Sequence, residues 1–144
     1  MQKLLLVDGH SMIFQWPQLR ELHDRKTATA REQLITLLTR YHDASDFHVA
    51  VVFDGKGSRA NEQDNPGGIQ IFYSAAGQTA DSVIERLVAK YAKTFDLTVA
   101  TDDHLERTTV ESFGGNWISS ESLALDLIAA DDALTERLKR LRKH

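Results

Sequence analysis

Six acidic side chains in this sequence stand where an α/β protein gathers its chemistry. Asp8 ends the apolar run Leu4-Leu5-Leu6-Val7, Asp54 ends VAVVF, and Asp102 with Asp103 ends LTVAT. Asp81 and Glu85 open the helical stretch TADSVIERLVAKY, four residues apart and therefore on one helix face. An open α/β sheet takes its ligands at the carboxyl ends of its strands, so these acids could converge on one rim. Such a cluster is costly unless something neutralises it, because like charges a few ångströms apart repel. A hard divalent cation with oxygen ligands does so, and Mg²⁺ or Mn²⁺ suits a site built of carboxylates and water. Sites of this kind activate water and neutralise a phosphoryl transition state. Phosphodiester hydrolysis is the reaction class that calls for this arrangement.

Each acid also has a purely structural reading. Asp8 can cap the segment after its strand, and Asp81 can be an ordinary first-turn acid behind a Thr79 cap. Asp103 can cap the next helix with Glu106 as its capping-box partner, and Asp54 can begin a turn with Gly55. No single acid decides the matter; acids at three strand ends plus a helix start do more. His10, with Ser11 beside it, is near enough to Asp8 in sequence to touch a substrate. The other histidines show no ligand spacing.

The elements that must position these groups alternate along the chain. Strand-like runs cover Lys3–Asp8, His48–Asp54, Ile69–Ser74, Leu97–Thr101 and Asn116–Ser119. Between them lie helical patterns: Leu34, Leu37, Leu38 and Tyr41 repeat at helical spacing, as do Ile84, Leu87, Val88, Tyr91 and Phe95. A last helix from about Glu121 carries acids first and bases last, which suits its dipole and explains the basic tail structurally. Strands alternating with helices predict βαβ units and a mostly parallel sheet. Gly9 is read as the residue that lets the chain turn sharply after the first strand. The polar, glycine-rich connection from Gly55 to Gly68 shows no helical period and is read as a mobile loop.

Composition narrows the class. The 144 residues suit one domain, spanning 1–144, and the absence of Cys excludes disulfides and thiolate metal sites. The apolar start is too short for a signal peptide or a membrane span, so a cytoplasmic protein without membrane contact is expected. The net charge of -4 does not advertise nucleic-acid binding, yet bases gather locally at Arg20 and Arg25, at Lys56 and Arg59, and in the tail. Phe14 and Trp16 are candidates to stack an unpaired base.

LLLVDGHSMI, VAVVFDG, IQIFYSAAGQTADSVIERLV, LTVATDD and SFGGNWISSESL occur in the order found in YacP-like proteins, which this chain resembles over nearly its whole length. Those proteins form part of the NYN branch of the PIN-like nuclease superfamily, and FYSAAGQTADSVIE is the most specific piece of the likeness. The resemblance implies a PIN-like, Rossmann-like three-layer α/β/α sandwich with a mostly parallel sheet, and metal-dependent endoribonuclease activity. It places Asp8, Asp81 and Asp102 at the acidic metal-site positions and Glu85 at the acid one turn along. The chain departs from the family at two points. Ser11 stands where the family usually shows Asn, which bears on substrate or water positioning. Asp103 stands where it often shows Arg, which weakens local attraction for phosphate.

The combined expectation is an endoribonuclease that hydrolyses single-stranded RNA, free or within a ribonucleoprotein. Asp8, Asp81 and Asp102 hold Mg²⁺ or Mn²⁺, Glu85 completes the catalytic set, and Asp54 and Asp103 stand behind them. His10 and Ser11 are polar neighbours of the site, and Lys56, Arg59, Arg20 and Arg25 grip RNA phosphates. The alternative is a non-catalytic RNA- or ribonucleoprotein-binding module that keeps the PIN-like fold. Two other readings fail. The chain is too short for the helical arch and DNA-binding region of a polymerase-type 5′-nuclease. It also lacks the paired Asp of a haloacid-dehalogenase phosphatase after either Asp8 or Asp54.

Overall fold

The computed structural model describes residues 1–55, 61–64 (backbone only), 68–75 and 77–142. Strand β1 (Lys3–Asp8) lies at the centre of the sheet, between β2 (His48–Phe53) and β5 (Asp96–Ala100). The full order is β3 (Asn61–Asp64), β4 (Gln70–Tyr73), β2, β1, β5, β6 (Asn116–Ile118). β1, β2, β4, β5 and β6 run parallel, and among the described residues only the edge strand β3 is antiparallel. Central parallel strands are covered on both faces, which is why β1 and β2 are unbroken apolar runs instead of alternating ones.

That coverage makes three layers. Leu5, Val7, Val49, Val51 and Phe53 face α1 (Gly9–Gln15), α2 (Pro17–Arg25), α3 (Thr27–Ala44) and α6 (Ser120–Arg142). Leu4, Leu6, Ala50, Val52, Leu97 and Val99 face α4 (Ala80–Tyr91) and α5 (His104–Ser112). Each fully buried Leu, Val or Ile contributes about 1.5–3 kcal/mol, so the two faces together anchor the sheet that carries the site. Among the described residues no helix is long and apolar enough to cross a membrane.

The strand order has a direct consequence for the acids. The chain steps from β1 outward through β2 to β4, then returns to the other side of β1 for β5 and β6. The order therefore reverses between β1 and β5, and open sheets offer a ligand crevice at such a point. Asp8 ends one of these strands, and Thr101 to Asp103 follow the other.

Two expectations change. The Gly55–Gly68 connection is not all loop, because residues 61–64 add β3 to the open edge of β4, pairing Glu62 with Phe72. Edge pairing uses backbone groups, so the polar sequence Asn-Glu-Gln-Asp does not signal it. Lys56, Arg59 and the expected mobility of the remainder fall outside the described residues. Gly9 does not make a turn with positive φ; it is the first residue of α1. Its lack of a side chain is required by packing, since a Cβ there would lie 2.7 Å from a ring carbon of Phe53 and 2.9 Å from the Val52 carbonyl oxygen. The glycine that does need positive φ before α4 is Gly77, at 81°.

Candidate metal centre

Asp8 is the end of β1 and the N-cap of α1, and only 3% of its surface is exposed. One carboxylate oxygen accepts the backbone N–H of His10 at 3.2 Å. The other accepts the hydroxyls of Ser11 and Thr101, both at 2.9 Å. These donors supply the partners that a buried carboxylate requires. Each hydroxyl also accepts a backbone N–H from the turn after β5. Asp102 donates to Ser11 Oγ at 3.1 Å, and Asp103 donates to Thr101 Oγ1 at 3.1 Å. Ser11 thus straps the start of α1 to the end of β5, a positioning role.

Asp81 arrives from α4. Thr79 caps that helix by accepting the Ser82 N–H at 3.1 Å, so the cap does not use the Asp81 carboxylate, and Asp81 is exposed in the first turn. α5 is capped by Asp103, whose carboxylate accepts the N–H groups of Leu105 at 2.8 Å and Glu106 at 3.4 Å. The reciprocal half of a capping box is absent, because the Asp103 N–H goes to Thr101 instead. Glu106 turns inward. It is 5% exposed, and neither carboxylate oxygen has a hydrogen-bond partner among the described residues.

One carboxylate oxygen each from Asp8, Asp81 and Glu106 lie within 4.8 Å of one another. Burial, the adjoining Asp81 carboxylate and the charge of Asp8 push the Glu106 pKa up to about 10. At neutral pH the group is therefore protonated unless a cation joins it. All-oxygen donors of this kind fit a hard divalent cation.

The other expected acids lie around this trio. Asp102 is not among the three that converge: its carboxylate accepts the N–H and the hydroxyl of Ser120, at 2.8 and 2.6 Å, and so ties the end of β5 to the start of α6. Glu85 is exposed one turn beyond Asp81 and lines a cleft between α4 and α5 with Glu106, Leu105 and Thr109. Asp54 and Asp103 line a second cleft with Asp8, Asp81, His10 and Ser11. Asp81 is the wall common to both. The Asp54 carboxylate accepts Ser74 Oγ and the Gly55 N–H, each at 3.1 Å.

The expected RNA contacts are more scattered. Arg20 and Arg25 are exposed on α2, and Arg25 is paired with Glu21 at 3.0 Å. Neither lines the acidic clefts. Trp16 cannot stack a base, because it is 6% exposed and its indole N–H donates to the Ser120 carbonyl at 3.1 Å. Phe14 is half-buried with His10 and His23 rings packed at 4.4 and 4.8 Å. Glu106 is the residue that sequence reasoning assigned only to capping. Its signal was position: with Val110 four residues on and buried, it lies on the core-facing stripe of α5, an unusual place for a carboxylate.

Known proteins agree with this architecture. A family model for the YacP-like NYN domain matches residues 5–144. The protein YacP of Bacillus subtilis (strain 168) is 28% identical over 142 residues, covering 96% of this chain and 82% of that protein. The crystal structure of Rae1 (YacP) from Bacillus subtilis superposes with a TM-score of 0.82 at 29% identity, covering 98% of this chain and 82% of that one. A tryptophan-to-leucine variant of it gives a TM-score of 0.83 at 26% identity, with 99% and 84% covered. The fold is the PIN-like α/β sandwich, the family is of nuclease type, and the chain belongs to the YacP-like NYN domain family.

Proposed function

We propose that this chain is a metal-dependent endoribonuclease that hydrolyses phosphodiester bonds in single-stranded RNA in the cytoplasm, working as one domain. Asp8, Asp81 and Glu106 would hold Mg²⁺ or Mn²⁺. The observation that carries this reading is the buried, unpartnered Glu106 carboxylate facing Asp8 and Asp81. Burying an acid beside two carboxylates, where it must hold its proton, costs stability, which a ligand role explains and a cap does not. When bound, the cation would lower the pKa of water and offset charge on the phosphoryl oxygens.

The protein's own part is to hold ligands still and leave one side open. Asp8 is fixed by the N–H of His10 and the hydroxyls of Ser11 and Thr101. Asp81 is exposed and presents the open side that a phosphate can approach. Asp102 acts through the backbone: with Ser120 it fixes the turn whose N–H groups orient Ser11 and Thr101. Glu85, His10, Asp54 and Asp103 line the approach.

Purified protein incubated with end-labelled single-stranded RNA tests this. Internal cleavage that needs Mg²⁺ or Mn²⁺, stops with chelator and is lost in Asp81→Asn is the expected result. RNA binding without cleavage, and no change in melting temperature on adding Mg²⁺, would support the binding-module alternative instead.

A further inference from the structure

Most cations that make side-chain contacts here spend their charge on a neighbouring carboxylate: Arg25 on Glu21, Arg40 on Asp131 and Arg107 on Glu111. Arg31 does not. Among the described residues it has no carboxylate within ion-pair range, although it lies against Asp54. Its Nη2 donates to the backbone carbonyl of Asp54 at 2.8 Å. The Asp54 carboxylate meanwhile accepts from Ser74 and Gly55.

The guanidinium is nonetheless held firmly. Its central carbon lies 5.1 Å from the Phe53 ring centroid and 5.8 Å from that of Tyr73, within cation–π range. Phe53 is 1% exposed, and the bare Cα of Gly9 makes room for its ring. The two rings are 5.7 Å apart at the ends of β2 and β4. Arg31 is therefore a half-buried, pre-oriented cation at the carboxyl edge of the sheet, braced by aromatic faces. It contacts the very residue, Asp54, that walls the cleft shared with Asp8 and Asp81. A guanidinium fork with free N–H groups suits a phosphate, and pre-orientation lowers the entropy lost on binding one.

We infer that Arg31 anchors a backbone phosphate of the RNA strand beside the acidic cleft, compensating there for the repulsion between the acids and the strand. This deepens the endoribonuclease reading and rests on it for the identity of the strand. The role is positioning, with no part in the bond-breaking step.

The test measures binding of a fluorescently labelled single-stranded RNA across a salt series, in an Asp81→Asn background so that cleavage does not intervene. Adding Arg31→Gln should weaken binding about tenfold and reduce the salt slope by about 0.7, the contribution of one phosphate contact in a single strand. Arg40→Gln, at a guanidinium already paired with Asp131, should change neither. A purely structural Arg31 would lower the melting temperature and leave the slope intact, and that result overturns the proposal. Should Arg31→Gln fail to fold, the Asp81→Asn protein is labelled with phenylglyoxal with and without RNA. RNA should shield Arg31 from the reagent, and undiminished labelling of Arg31 at saturating RNA overturns the proposal. RNA binding with no cleavage by wild type removes the nuclease reading but keeps the anchor. An absence of RNA binding removes both.

Discussion

The two sides of the β5–α5 turn treat their acids differently. On one side Asp102 uses both carboxylate oxygens on the N–H and hydroxyl of Ser120, and one oxygen of Asp103 accepts the N–H groups of Leu105 and Glu106. On the other side, one turn later, Glu106 is more deeply buried, its oxygens accept no N–H or O–H among the described residues, and it faces two further carboxylates. A saturated carboxylate stabilises the fold, whereas a crowded, unsaturated one costs stability and persists only if something else needs it. The difference separates acids that build the rim from acids offered to a ligand.

The largest effect that can break this contrast is on cleavage. Glu106→Gln and Asp81→Asn should each lower metal-dependent cleavage by at least about 100-fold. Both should melt, free of metal, at or above the wild-type temperature: Asp81→Asn removes a charge from the cluster, and Glu106→Gln replaces an acid that must hold its proton there with a neutral group of similar shape. Added Mg²⁺ should raise the wild-type melting temperature and move these variants much less. If Glu106→Gln melts lower without metal and responds to Mg²⁺ as wild type does, Glu106 is structural.

The pH dependence of metal-free stability sharpens the same point. With its folded pKa raised from 4.5 to about 10, Glu106 keeps its proton in the folded state while the unfolded chain loses it. The unfolded state then binds fewer protons, so this contribution to stability is full below pH 4.5 and declines as pH rises toward about 10. Urea titrations of wild type at rising pH should show that decline, and Glu106→Gln should flatten it. Equal slopes in the two proteins would mean that Glu106 is not the group responsible.

Gly9→Ala comes next. A methyl group there meets Phe53 and the Val52 carbonyl, so α1 must shift, at a cost of about 1–3 kcal/mol. Because α1 carries His10 and Ser11 beside Asp8, Mg²⁺ affinity should fall as well, as a calorimetric titration would register. The smallest effect belongs to the saturated side. Asp102→Ala should lose about 1 kcal/mol of stability, as an ordinary cap does, and should lower cleavage less than Glu106→Gln. If Asp102→Ala instead abolishes Mg²⁺ binding with the fold intact, Asp102 is a ligand and the contrast fails.

By itself the sequence determined the layered α/β class, because unbroken apolar runs demand cover on both faces and the helical repeats supply it. It located the parallel strands closely, and it marked the carboxyl rim through Asp8, Asp54 and Asp102. Local signals also identified the caps Thr79 and Asp103, since capping depends on neighbours two or three residues away. Contacts between distant residues were another matter. Whether Asp102 or Glu106 stands with Asp8 and Asp81 depends on side-chain direction across the β1–β5 junction, and on Ser120 lying within reach of Asp102. The sequence spacing of these residues carries no record of either. Pairing likewise decided that Asn61–Asp64 is a strand, and packing against Phe53 decided why residue 9 is glycine. Burial took Trp16 out of reach of any base. Each of these was settled by what the folded chain brings alongside a residue, and local propensity does not encode that.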